Sequence, residues 1–210
     1  MRARPGERSA RQPTDWNVPN ALTVLRILLV PVYGGLLLHG DGSHPWWRFW
    51  AWVVFVGAAV TDGIDGRLAR SRGQITDFGK VSDPIADKAL TGMAFIGLSL
   101  LGIIWWWVTV VILARELGIT LLRFVVIRHG VMPAGRGGKL KTMLQTLALA
   151  ALTFPLQVLP FAQAWRWAAY GVLAAALVVT VVTGVDYVFK AAHLRRSSAR
   201  TAARRAARRG

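Results

Sequence analysis

The chain has 210 residues, 54% of them hydrophobic, with a mean hydropathy of +0.41 and a formal net charge of +16. Apolar runs close to the roughly 20 residues that cross a bilayer fill most of that length, which leaves little room for a soluble domain. No cysteine is present, so disulfides and thiolate metal ligation are excluded.

Residues 1–16 form a basic segment carrying Arg2, Arg4, Arg8 and Arg11. Six apolar runs follow, near 20–39, 46–69, 83–105, 106–127, 140–161 and 165–188. They predict an all-α integral membrane protein of about six transmembrane helices, in one domain over residues 17–190. The first run is long, carries Arg26 and lacks a clear small-residue cleavage site, which argues against a cleavable signal peptide. The second loses its apolar character at Thr61-Asp62, so its end reads as a polar extension. The third opens with Ser82-Asp83-Pro84, where Pro84 suits a first helical turn and Asp83 could cap it.

The fourth run carries Arg115-Glu116 mid-span and Arg123 eight residues on. Eight positions at 100° per residue return to within roughly 80° of the start, so both arginines can face one cavity. The alternative is an arginine paired with Glu116 that only locks helices together. Gly135-Arg136-Gly137-Gly138-Lys139-Leu140-Lys141-Thr142 comes next, offering N–H groups and cations to a phosphate. Membrane topology alone also expects a basic loop there. Residues 191–210 are an Ala/Arg-rich basic tail, expected to be helical only against anionic lipid.

The net charge of +16 invites a nucleic-acid reading, but its distribution argues for a membrane. Lys190 and seven arginines from Arg195 to Arg209 follow the last run. Arg67, Arg70, Arg72 and Lys80 separate runs two and three, and Arg128, Arg136, Lys139 and Lys141 separate runs four and five. The opposite connections contribute only Arg166, with Arg48 just beyond the first. That asymmetry predicts both termini in the cytoplasm. Tryptophans at 46, 47, 105, 106, 107, 165 and 167 cluster at the other ends of the runs, where an aromatic belt belongs.

Five aspartates lie between Thr61 and Lys88, in TDGIDGRLARSRGQITDFGKVSDPIADK, and four of them fall in two pairs. Asp62 and Asp65 are three apart, and Asp83 and Asp87 are four apart, spacings that share a helix face. Four carboxylates converging at one membrane surface repel unless cations sit among them, so a divalent metal site is expected. Helix capping and ion pairing to Arg67, Arg70 or Lys88 explain one or two of them, not four. A cation transporter would place them near the bilayer midplane, whereas these fall at the basic, cytoplasmic ends of runs two and three.

The string Asp62-x2-Asp65-Gly66-x2-Ala69-Arg70-x8-Gly79-x3-Asp83-x3-Asp87 matches the signature of the CDP-alcohol phosphatidyltransferases, and the chain resembles that family. Asn17-Val-Pro-Asn20-Ala-Leu-Thr-Val-Leu-Arg26 with Pro31, Ala114-Arg115-Glu116 through Arg123, and Gly138-Lys139-x-Lys141-Thr142-x-x-Gln145 look like its bacterial phosphatidylglycerophosphate synthase branch. The resemblance covers most of residues 17–146.

It implies two divalent ions, Mg²⁺ or Mn²⁺, with Asp62, Asp65, Asp83 and Asp87 as ligands and Asp87 also as the catalytic base. Asn20, Gly66, Ala69, Arg70, Thr76 and Gly79 correspond to contacts with CDP-diacylglycerol. Small residues there let a nucleotide approach the backbone, and Arg70 neutralises phosphate. Arg115, Arg123, Lys139 and Lys141 are the candidates for the acceptor phosphate.

The activity so implied transfers a phosphatidyl group to glycerol 3-phosphate and releases CMP. It belongs in a bacterial-type inner (plasma) membrane, with the site facing the cytoplasm, and the family expectation is a homodimer. A CMP-forming cardiolipin synthase or a phosphatidylinositol phosphate synthase would share the eight motif positions. The Arg-Glu…Arg and Lys-x-Lys-Thr-x-x-Gln segments favour glycerophosphate.

Overall fold

The computed structural model describes residues 18–72, 77–126 and 136–207, with side chains described at 21–63, 85–122 and 138–190. Helices α1 (Val18–Leu38), α2 (Pro45–Arg72), α3 (Asp77–Leu100), α4 (Trp106–Val126), α5 (Arg136–Thr153) and α6 (Ala162–Ala207) follow in chain order. Short 3₁₀ turns at His39–Gly42 and Leu156–Val158 lie in two connections, and the described residues contain no strand.

Local chemistry sets several of the boundaries. Pro45 takes the first position of α2, where its missing N–H costs nothing. α3 closes in a Schellman motif: Ile103 N–H donates to the Leu98 carbonyl at 2.9 Å and Gly102 N–H to the Ser99 carbonyl at 3.0 Å. Gly102 has φ +68°, a conformation glycine adopts without strain. α5 stops at Thr153 because Pro155 cannot extend it.

α1 packs on α2 and α3, and α6 packs on α4 and α5. Tyr33 and Leu37 of α1, Phe55 of α2, Phe95 and Leu98 of α3, Ile112 of α4 and Leu149 and Leu152 of α5 fill the interior. Large apolar side chains also cover the outside, among them Leu28, Val32, Leu121, Val182 and Phe189. Two segments, Ala21–Gly42 and Ala162–Lys190, are long and apolar enough to cross a membrane by length and composition. Only 28% and 22% of their apolar windows are buried, unlike the core helices of a soluble protein.

The structure moves three expected boundaries. α3 starts at Asp77, so Pro84 and Asp83 lie inside the helix and Asp83 is not its cap. Proline's fixed φ fits a helix; its cost is the bond it cannot donate, and that cost did not stop the helix here. The fifth apolar run is displaced, since the helix begins at Arg136 and ends before the prolines at 155 and 160. The last helix also runs past the sixth apolar run: α6 continues through the tail to Ala207, 46 residues in all, or about 69 Å at 1.5 Å per residue. Its alanines and arginines are strong helix formers.

The three connections α1–α2, α3–α4 and α5–α6 meet at one end of the bundle, where Arg48, Gly102, Phe154 and Arg166 line a cavity of about 220 Å³. Arg48 is buried and caps α5: Nε donates to the Thr153 carbonyl at 3.2 Å, and Nη2 donates to the carbonyls of Leu152 and Phe154. These acceptors are among the carbonyls that a helix C-terminus leaves without partners. Tyr33 and Thr153 share a 3.0 Å hydrogen bond beside it. Arg48→Met is therefore expected to destabilise the protein by about 2–3 kcal/mol, the usual range for charged hydrogen bonds. Thermal unfolding in detergent should show a lower midpoint, and an unchanged midpoint would contradict the capping role.

Candidate active site

A cavity of about 900 Å³ opens between α1, α2, α3 and α5. Its polar wall consists of Arg26, Asp62, Asp87, Thr91, Lys139, Thr142 and Thr146; Phe55, Val56, Leu90, Met143 and Leu147 supply an apolar side. A polar end with an apolar flank suits a ligand with a charged head and hydrocarbon tails.

Asp62 comes from the polar extension of α2, ten residues before its end, and Asp87 from the third turn of α3. Both pairs of motif aspartates lie within helices, so their three- and four-residue spacings keep the same-face geometry expected from the sequence. The side chains of Asp65 and Asp83 lie outside the described residues, as do those of Asn20, Gly66, Ala69, Arg70, Gly79 and Arg123; Thr76 falls outside entirely.

Arg26 of α1 reaches the cavity from below its buried surface, with Nη1 2.6 Å from Asp62 Oδ1. Asp87 lies in the field of Asp62, Arg26, Glu116 and Lys141. Hard carboxylate oxygens presented from two helices to one cavity fit a hard divalent cation. Among the described residues no cluster of three or more such ligands forms, with Asp65 and Asp83 outside them.

The cations expected to meet an acceptor phosphate divide between two places. Lys139 is exposed and lines the cavity at the start of α5. Lys141 is buried and paired with Glu116, which Arg115 also approaches at 3.3 Å. Arg115 Nη2 further donates to Thr183 Oγ1 at 2.9 Å, tying α4 to α6. Gly184 makes room for it, since a Cβ there would lie 3.0 Å from Arg115 Cγ. Gln145 Nε2 donates to Thr180 Oγ1 at 2.9 Å in the same α5–α6 seam. In this arrangement Arg115 and Lys141 both pair with Glu116, which joins α4 to α5.

The sequence reading missed Arg26, Thr91 and Thr142 as cavity residues. Arg26 did carry a signal: an arginine inside an otherwise apolar run is costly in a membrane and marks a site by default. Thr142 stood in the Lys-x-Lys-Thr segment; Thr91 carried no signal, because a threonine in a membrane helix commonly bonds its own backbone, as Thr91 Oγ1 does to the Asp87 carbonyl at 2.9 Å.

The chain is 53% identical over 175 residues to a probable phosphatidylglycerophosphate synthase of Mycobacterium tuberculosis, covering 83% of this chain and 81% of that one. It is 36% identical over 190 residues to the CDP-diacylglycerol–glycerol-3-phosphate 3-phosphatidyltransferase of Bacillus subtilis, covering 83% of this chain and 95% of that one. A CMP-forming cardiolipin synthase of Streptomyces coelicolor is 34% identical over 116 residues, 55% of this chain and 54% of its own length. The CDP-alcohol phosphatidyltransferase domain matches residues 16–186, spanning the signature and all the helices that line the cavity, and the chain belongs to that family.

Proposed function

We propose that this chain transfers the phosphatidyl group of CDP-diacylglycerol to sn-glycerol 3-phosphate, giving phosphatidylglycerophosphate and CMP. The observation that carries the reading is that Asp62 and Asp87, from opposite ends of the signature, line one cavity with two cations, Arg26 and Lys139. Relatives named for this reaction, over more than four-fifths of the chain, support the choice of acceptor.

The family generally uses a divalent metal. In this reading Asp62, Asp65, Asp83 and Asp87 hold two ions, Mg²⁺ or Mn²⁺, which neutralise charge on the donor's pyrophosphate when bound. Asp87 takes the proton from the 1-hydroxyl of glycerol 3-phosphate. That oxygen bonds to the phosphatidyl phosphorus as the phosphoanhydride bond to CMP breaks. Gly66, Ala69 and Gly79 admit the cytidine against backbone, with Asn20, Arg70 and Thr76 as further donor contacts. The apolar side of the cavity, Val56, Leu90 and Met143, accepts the start of the acyl chains. The protein spans the inner membrane several times with both termini and the site on the cytoplasmic side, and acts as a homodimer.

Purified protein with CDP-diacylglycerol and Mg²⁺ tests this directly. It is offered glycerol 3-phosphate, phosphatidylglycerol, inositol phosphate or serine, and CMP release is followed. Glycerol 3-phosphate should be used preferentially; preference for phosphatidylglycerol would make the chain a cardiolipin synthase instead.

Within this reading Lys139 meets the acceptor phosphate from the cavity wall, and Arg123 is a further candidate for that contact. Lys141 and Arg115 contribute from behind, through Glu116. A charge-assisted contact is worth roughly 1.5–3 kcal/mol, so Lys139→Ala is expected to weaken acceptor use by ~10–100-fold. The loss should appear mainly in the KM for glycerol 3-phosphate, with the KM for CDP-diacylglycerol nearly unchanged. A selective rise in the donor KM would place Lys139 on the other phosphate.

A further inference from the structure

Arg26 sits in α1 with 2% of its side chain exposed, while its partner Asp62 is 42% exposed. A guanidinium at this depth brings a positive charge into the helix bundle. Its surroundings include Phe55 and Leu90, which share the cavity wall and offer no compensation for lost hydration. A buried ion pair of this kind is a poor device for stability, since apolar residues of similar volume usually serve as well. The charge is better explained by what enters the cavity.

Among the described residues Arg26, Asp62 and Asp87 bring charge to that point, with Asp87 in the field of the other two. Without a cation between them, the two carboxylates repel. Arg26 relieves that repulsion from the α1 side while leaving Asp62 open toward the cavity. A divalent ion at Asp62 and a guanidinium 2.6 Å from the same carboxylate are competing claims on one set of lone pairs. The doubly charged hard cation has the stronger claim on a carboxylate. The guanidinium, a planar fork of donors, has a second natural partner in a phosphate.

Resting on the phosphatidyl transfer described above, we propose that Arg26 is an exchangeable counter-ion. It pairs with Asp62 while the site holds no metal. When Asp62 is taken by the metal, Arg26 turns its fork to a phosphate of the CDP-diacylglycerol pyrophosphate. It is thus a positioning residue for the carboxylate and a recognition residue for the donor.

The test compares wild type with Arg26→Gln, both purified in detergent, by two binding measurements that need no turnover. Mn²⁺ binding to substrate-free protein is read by electron paramagnetic resonance. Removing the competing cation should tighten it about two- to fivefold, the range for an ion pair that need no longer be broken. CDP-diacylglycerol binding in mixed micelles at saturating Mn²⁺ should weaken by ~10–100-fold, as for loss of a charge-assisted phosphate contact.

Both changes together support the exchange. Mn²⁺ binding that is unchanged or weaker overturns it, because Arg26 then only orients Asp62. Unchanged donor binding overturns it as well. Arg26→Lys carries the test if the glutamine variant does not fold. It should keep Mn²⁺ affinity within about twofold and lose donor affinity severalfold, since a point charge replaces the fork; donor affinity equal to wild type overturns the proposal. Wild-type protein that binds no Mn²⁺ would instead remove the metal reading beneath it, and this proposal with it.

Discussion

EDTA is expected to bring CMP release by the purified protein to background, and Mg²⁺ or Mn²⁺ to restore it. Asp62 and Asp87 reach one cavity from two helices, and Asp65 and Asp83 lie one turn from them on the same helices. Arg26 offsets a single negative charge there, and Lys141 is already paired with Glu116. The pyrophosphate of the donor would bring further negative charge into that cavity. Among the described residues Arg26 and Lys139 are the cations lining the cavity, against Asp62, Asp87 and the incoming pyrophosphate, so substrate should not bind productively without added divalent charge.

Asp65→Asn and Asp83→Asn should each abolish turnover for the same reason. An amide keeps the shape and one acceptor oxygen but loses the charge that holds a hard cation. Both variants should remain folded in detergent, because an amide nearly matches a carboxylate in size and shape. Full activity of a carefully demetallated preparation would end the metal-site reading.

Asp87→Asn is expected to lower kcat by roughly two to four orders of magnitude, the range for loss of a general base. The variant should still bind CDP-diacylglycerol measurably, since three motif aspartates remain. Asp87 is the motif aspartate one turn inside the helix from Asp83, and it lines the cavity with Lys139. That puts it in the same cavity as the cation expected to meet the acceptor. The discriminating quantity is kcat at saturating metal and donor. CMP release within a few-fold of wild type would show that another group takes the proton.

These variants probe features that differ in how far they could be read from the chain alone. Helix number, helix order and the placement of the aspartates on α2 and α3 were legible, because apolar run length and the i,i+3 and i,i+4 spacings are local properties. The ends of α3, α5 and α6 were less so. There a proline inside a helix, a proline after one and an Ala/Arg tail each weighed against or for continuation by only a few kcal/mol.

The acceptor cations show the limit most clearly. Arg115, Lys139 and Lys141 are chemically alike in the sequence, yet Lys139 faces the cavity while the other two share Glu116. Helical periodicity tells which residues share a face; it does not tell which neighbour that face meets. Lys141 is 25 residues from Glu116, Arg115 is 68 from Thr183, and Arg48 lies 105 from Thr153.

By itself, then, the sequence determined a helical membrane enzyme of the CDP-alcohol phosphatidyltransferase family and the helices that bear its carboxylates. Only the tertiary structure decided that Arg26 belongs to Asp62, that Glu116 occupies Lys141, and that Arg48 closes α5. Those choices depend on which helices pack side by side and in what rotation. That is fixed by the summed fit of many apolar contacts, each worth only about 0.1–0.2 kcal/mol, and no short motif encodes such a sum.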